Sequence, residues 1–378
     1  MSLRLGGSGT DIAIDIGGRP LSYDRFDAAV AEWPDAAVHD ASALALPEAL
    51  ICVFAAARQG AAVRVEDPTA RPDRSEIPTG AFLLVGTSGS TGTPRPLART
   101  AESWTHSFDE FTSITGITSS DRVLVTGPLH ATMHLFGAVH ALYVGACVTD
   151  DESTATVTHA VPAVLRELLH RAPNLHTAVV AGASLDAGAE NRARGLRLVE
   201  YYGAAELSLV AARVVPGPLR LLDRVEAEIR DGLLFVRSPY RVLGADEWVG
   251  VGDLAELRPG GELVVHGRGS AAVNVGGTTV LAEDVERILD AIVGVKASAV
   301  IGTPHAVLGE TVTAVLELDR SSRDDSTPDR TALLTRIKDQ ARASLQKEAI
   351  PRRWTVVDEL PRTGSGKIAR ARVTDSQP

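Results

Sequence analysis

Apolar residues along this chain follow two alternating patterns. Runs of four or five apolar positions, suited to strands covered on both faces, alternate with stretches in which apolar residues recur at helical spacing. The alternation lasts through the first two-thirds of the sequence and predicts an α/β architecture. Leu21-Ser22-Tyr23-Asp24 ahead of Arg25–Glu32 reads as a capped helix start, and Ala49–Arg58 as a buried helix feeding a strand at Ala62–Val65. Phe82–Val85 is a strand that runs into glycines and hydroxyls, and further strands are expected at Arg122–Thr126, Ala146–Thr149 and Thr177–Val180. From Leu219 the period shortens to hairpin-like strands at Glu226–Arg230, Leu233–Arg237 and Leu263–His266. After Gly267-Arg268-Gly269-Ser270 the composition changes. Glu283–Ile292 and Thr331–Leu345 read as amphipathic helices, Ala299–Ile301 and Val312–Leu318 as strands, and Asp319–Asp329 as a charged linker. The expected organisation is a large N-terminal domain of layered sheets and helices, residues 1–268, and a small mobile α+β lobe, residues 269–378.

Composition narrows the class without naming it. The 378 residues suffice for ample core, and 44% hydrophobic with 23% charged residues is ordinary for a globular protein. A formal net charge of −10, with no basic stripe, argues against a nucleic-acid partner. No signal-like leader and no uninterrupted apolar run of membrane length is present, so no membrane insertion is expected. Cys52 and Cys147 have neither CxxC nor metal-ligand spacing and read as reduced core residues of a cytoplasmic protein.

Three segments carry candidate chemistry. Gly86-Thr87-Ser88-Gly89-Ser90-Thr91-Gly92-Thr93-Pro94-Arg95-Pro96 follows a strand directly. Its glycines allow close backbone approach, and its hydroxyls can bond phosphate oxygens or reach Mg²⁺. A flexible Gly/Ser tether is the competing reading, and the strand before it and Pro-Arg-Pro after it oppose that. It is not a Walker A loop, because no Gly-Lys-Ser/Thr follows. Lys367 is one of four lysines against thirty-four arginines and stands in Thr363-Gly364-Ser365-Gly366-Lys367-Ile368. A compact ammonium kept in an arginine-rich chain suggests a site too tight for guanidinium, although a lone lysine is usually solvated. His130 and His134 lie four apart and share a face if that stretch is helical, but no third zinc ligand has suitable spacing.

Five segments in order resemble the AMP-forming adenylating enzymes, the superfamily of acyl-CoA synthetases, peptide-synthetase adenylation domains and luciferases. They are the 86–96 loop, Tyr202-Gly203-Ala204-Ala205-Glu206, Val251-Gly252-Asp253, the stretch from Gly267-Arg268 to Gly276-Gly277, and Leu360–Arg370. The resemblance implies that Thr87, Ser88, Gly89, Ser90, Thr91 and Gly92 wrap the ATP phosphates, with Glu206 and Thr87 holding Mg²⁺. Taken alone, Glu206 reads as a solvated carboxylate at a helix start. Tyr202 and Gly203 would meet the adenine, beside Gly182 and Ala183; Asp253 would bind the ribose hydroxyls and Arg268 a ribose or phosphate oxygen. Lys367 would be catalytic at the α-phosphate. The small lobe would then swing, replacing it with the Gly276 and Gly277 hairpin at the thiol tunnel.

His134, Phe136, Gly137 and Ala204 fall where the family lines its acyl pocket. That segment has no aspartate to pair an ammonium, so a plain carboxylic acid is expected: fatty, aryl or succinyl-aryl. The nearest type is a compact acyl-CoA ligase using ATP, Mg²⁺ and CoA. The alternatives are loading of a carrier protein's phosphopantetheine and o-succinylbenzoate–CoA ligation. A homodimer stays open. Arg95 and Pro96, Ala205 and Ser270 depart from the family pattern at the loop end, beside Glu206 and at the hinge.

Overall fold

The structure is a computed structural model. It describes all residues except 1–2, 70–75, 87–95, 183–184, 186–192, 194, 269–271, 276–277, 306–308, 320–326, 364–367 and 376–378. Thirteen described strands form one mixed sheet, flanked by a four-stranded sheet and, beyond residue 271, a five-stranded sheet. The α/β class expected from the apolar pattern is the one observed.

The capped helix starts where the sequence placed it: Ser22 accepts a hydrogen bond from the Arg25 amide ahead of helix Tyr23–Glu32. Helix Leu46–Gln59 buries eight consecutive residues, Ala49 to Ala56, which explains its near-continuous apolar run. The central strands Arg122–Val125, Val157–Ala160, Thr177–Val180 and Arg197–Ala204 pair in parallel, with helix Thr132–Val144 packed on them. Their carboxyl ends therefore face one edge, where ligands of open α/β sheets bind.

Past these strands the large sheet turns antiparallel and curls. The strands Arg197–Ala204 and Val249–Arg258 are four steps apart in its order, which on a flat sheet is about 19 Å. Tyr202 on the first nevertheless hydrogen-bonds Asp253 on the second. The sheet must roll over to bring them together, and it does so where the join is thin, a single pair between Arg220 and Glu262.

The large sheet ends with Glu262–Arg268, and the small lobe opens with Ala272–Val275. The lobe has its own core, in which Val285 and Leu289 of helix Ala282–Asp290 pack with Val300, Val312 and Ile337. The second helix begins at Thr327, inside the stretch that charge alone marks as linker. Among the described residues no helix is long and apolar enough to cross a membrane.

Candidate active site

Tyr202 stands near the carboxyl end of its strand, half-buried, and its hydroxyl donates to Asp253 Oδ2 at 2.5 Å. Asp253 is 7% exposed and sits opposite Arg268 in the last strand pair of the large sheet. A register shift between Tyr202 and Gly203 adds a residue to the partner strand and re-aims the chain, as bulges beside sites commonly do. The chain then reverses through a tight hairpin: Ala204 pairs with Ser208, and the Leu207 amide donates to the Ala204 carbonyl at 3.0 Å. A Cβ at Gly203 would lie 2.2 Å from the Ser208 carbonyl oxygen, so only glycine lets the two strands close there. Glu206 occupies the hairpin tip. The helix start that a lone Glu206 suggests is absent, because Ser208 resumes a strand at once.

Behind this hairpin lies Arg99, which the sequence did not single out. It ends strand Pro96–Arg99, the strand that leaves the 87–95 segment, and is 1% exposed. Its guanidinium donates from Nη1 to the Tyr240 carbonyl at 2.5 Å and from Nη2 to the Ala205 carbonyl. Burial pushes its pKa down to about 10, and the Glu206 carboxylate acts in the opposite sense. A buried cation stripped of partners costs several kcal/mol, so two carbonyls and a nearby carboxylate are what keep this charge inside. The Val242 amide donates to the Glu206 carbonyl at 3.0 Å, and the Leu243 amide to the Ala98 carbonyl at 2.8 Å. These bonds stitch the Glu206 hairpin to the strand that emerges from the glycine- and hydroxyl-rich segment. Gly86 and Pro96, which flank that segment, are themselves paired.

Beneath the same edge is a layer of imidazoles and rings. His134 and Gly137 share a face of helix Thr132–Val144, and His159 lies below them on strand Val157–Ala160. A Cβ on Gly137 would come within 2.8 Å of the His159 ring, so the glycine is what admits the imidazole under the helix. The edges of Phe108 and Phe111 meet Phe136 at 5.3 and 5.2 Å between centroids. Burial pushes the imidazole pKa down to about 4 at His134 and about 3 at His140 and His159, so all three are neutral. His140 Nε2 bonds Thr112 Oγ1 at 2.8 Å. His134 Nδ1 and both ring nitrogens of His159 have no hydrogen-bond partner among the described residues. Each such atom costs about 1–3 kcal/mol if nothing fills it. His130 precedes the helix, so the condition under which His130 and His134 would share a helical face is not met, and no group of three metal-ligating side chains exists among the described residues.

The AMP-binding enzyme family matches residues 78–273, and the AMP-binding enzyme C-terminal domain matches residues 284–367. This chain belongs to the AMP-binding enzyme family. An uncharacterized acyl–CoA ligase, YhfT of Bacillus subtilis, is 29% identical over 353 residues, covering 82% of this chain and 71% of that one. The 2-succinylbenzoate–CoA ligase of Enterococcus faecalis is 27% identical over 340 residues, covering 76% and 68%. Among solved structures, ATP-bound MatB from Rhodopseudomonas palustris superposes with a TM-score of 0.79 at 20% identity, covering 97% of this chain and 96% of that one. An anthranilate CoA ligase, AuaEII, bound to anthranoyl-AMP superposes at 0.82 and 17% identity, covering 97% and 94%. At these identities the superpositions speak to fold.

Within this AMP-binding enzyme the structure brings Tyr202, Gly203, Ala204, Glu206 and Asp253 together at one edge. Gly182 stands just beyond a neighbouring strand end, at φ 89°. His134, Phe136 and Gly137 lie in the layer beneath. Arg268 is placed by its backbone opposite Asp253. Thr87, Ser88, Gly89, Ser90, Thr91, Gly92, Ala183, Gly276, Gly277 and Lys367 lie outside the described residues. Arg99 and His159 are the functional candidates that the sequence reading missed. The only signal was an arginine and a histidine inside otherwise apolar strand patterns.

Proposed function

We propose that this chain is an AMP-forming acyl-CoA ligase. It would join a carboxylic acid to the α-phosphate of ATP with release of pyrophosphate, then pass the acyl group to the thiol of CoA with release of AMP. The observation that carries the reading is the Tyr202–Asp253 hydrogen bond at the carboxyl edge, beside a hairpin tip bearing Glu206. An acceptor-only carboxylate fixed by a tyrosine suits a ribose diol, and the tyrosine ring beside it suits an adenine face. Family membership and relatives named as acyl–CoA ligases support the same reading.

The residues present fit a hard divalent cation. Glu206 offers a carboxylate at the tip of the hairpin stitched to strand Pro96–Arg99, and the sequence between Gly86 and Pro96 is rich in hydroxyls. Glu206 and Thr87 would hold Mg²⁺, which would supply charge neutralisation at the ATP phosphates. Thr87 to Gly92 would bind phosphate oxygens, and Lys367 would meet the charge that develops as the carboxylate attacks. Gly276 and Gly277 would admit the thiol after the lobe, residues 269–378, has turned on the segment around Arg268. ATP, CoA and the two free, buried cysteines fit a cytoplasmic enzyme.

A panel of acids in ATP–pyrophosphate exchange tests the proposal, followed by product analysis with CoA and with a phosphopantetheinylated carrier protein. Acid-dependent exchange and an acyl-CoA product are expected. Exchange with acylation of the carrier alone would replace CoA by the carrier as acceptor. No exchange with any acid would overturn the ligase reading.

A further inference from the structure

We infer that the acid-binding end of this site reads a neutral hydroxyl through His159 and His134, so that the substrate is a hydroxylated aryl or aliphatic acid. The inference rests on the ligase reading above and adds the substrate class to it.

Position comes first. His159 pairs with Val125 on one side and Val179 on the other, one row below the edge. Two residues beyond Val125 is Gly127, and a Cβ there would lie 2.3 Å from His134 Nε2, so the His134 ring rests directly on that backbone. Three residues beyond Val179 is Gly182. On the next strand Tyr201 faces away from Tyr202 and meets Phe111 edge-on at 6.4 Å, while Phe111 lies 5.8 Å from the His159 ring. The layer thus lies immediately behind the residues assigned to the nucleotide, where the carbon skeleton of a bound acid would extend.

Chemistry selects the occupant. His159 is 2% exposed and His134 is 5% exposed, and three ring nitrogens between them lack partners among the described residues. A neutral imidazole presents one N–H donor and one lone pair. A hydroxyl offers the complementary donor and acceptor in a single small group. A hydrocarbon chain or bare ring would leave those nitrogens unmatched. A second carboxylate would call for an imidazolium, which burial disfavours in all three histidines of the layer. Aromatic walls provided by Phe111 and Phe136 suit a ring, and an alkyl chain also packs on them.

The test compares kcat/KM in ATP–pyrophosphate exchange for matched acids: benzoate against the three monohydroxybenzoates, hexanoate against its hydroxylated forms, and adipate as the dicarboxylate. At least one hydroxylated acid should exceed its parent by about tenfold or more, because sites built to bond a hydroxyl strongly reject the analogue that lacks it. Adipate should be the poorest of the aliphatic set. His159→Leu should bring that ratio toward one, and His134→Leu should lower it, which gives a second reading if one variant folds poorly. The aryl and aliphatic arms show which skeleton carries the hydroxyl. Exchange without any hydroxyl preference, or a preference that survives both substitutions, would overturn the inference and leave the ligase intact. Exchange with no acid at all would remove the ligase reading and this inference with it.

Discussion

Arg99 shows how far a single residue can sit from the signals that would reveal it. Its two carbonyl partners are 141 and 106 residues away in sequence, and the segment Leu97-Ala98-Arg99 reads locally as an ordinary strand with a charged end. Tyr202, Glu206 and Asp253 were legible because each sits in a short segment of recognisable spacing. Arg99 and His159 were not, because no segment of recognisable spacing surrounds them and their apolar neighbours mark only an ordinary strand. Replacing Arg99 by Met would leave the carbonyls of Tyr240 and Ala205 without their donor and Glu206 without its nearby cation. A loss of about 2–5 kcal/mol in unfolding free energy is expected from denaturant titration, with Arg99→Lys losing less. Because the Ala205 carbonyl belongs to the Glu206 hairpin, the Mg²⁺ concentration that half-saturates exchange should also rise. An unchanged stability and Mg²⁺ response in Arg99→Met would show that the guanidinium is a bystander.

At the scale of elements, the strands that the sequence made legible are those whose residues are apolar on both faces or alternate cleanly. Thr177–Val180 is buried throughout, and Leu233–Arg237 alternates as a hairpin strand should. The strands that shape the site are harder to read. Val249–Arg258 carries Gly250, Gly252 and charges because one end forms the site and the other meets solvent. Arg197–Ala204 holds five partly exposed residues in a row near the edge. Helix Thr132–Val144 was expected only conditionally, and its content has a consequence for acid stability. His134 and His140 on this helix and His159 beneath it stay neutral in the fold, whereas the unfolded chain protonates each near pH 6.5. Below that value the unfolded state binds protons that the folded state refuses, so stability is full above about pH 6.5 and falls as pH drops toward the folded values near 3 to 4. Each histidine should contribute a loss on the order of 1 kcal/mol per pH unit in that window. Urea midpoints between pH 7 and 5 should shift less in His159→Leu than in the wild-type chain. An equal pH slope in the two would show that His159 is solvated in the fold.

Across the whole molecule, the small lobe's grip on the large domain converges on the segment that leads to Lys367. Glu317, 1% exposed in the lobe's sheet, forms an ion pair with Lys296 Nζ at 2.8 Å and accepts from the Leu360 amide at 3.0 Å and from Arg362 Nη2 at 3.2 Å. Lys296 also approaches Glu167 of the large domain at 3.9 Å, and Arg166 donates to the Lys296 carbonyl at 2.9 Å. On the far side of Lys367, Arg370 binds Glu286 at 2.7 Å and Glu283 at 3.2 Å, and Arg362 pairs with Ile368 across the interval. Both flanks of the lysine are thus tied to the lobe's own framework, so the lysine must travel with the lobe as one body. If the lobe turns between the two half-reactions, Lys367 can serve only the first. Lys367→Ala should lower acid-dependent pyrophosphate exchange by about 10²–10³-fold, the scale of removing one positioned charge from a transition state. The same variant, supplied with preformed acyl-adenylate and CoA, should form thioester within about threefold of the wild-type rate, since a group absent from that step contributes nothing to its barrier. Equal losses in both assays would mean that Lys367 remains at the site throughout, and that the lobe does not move between the steps.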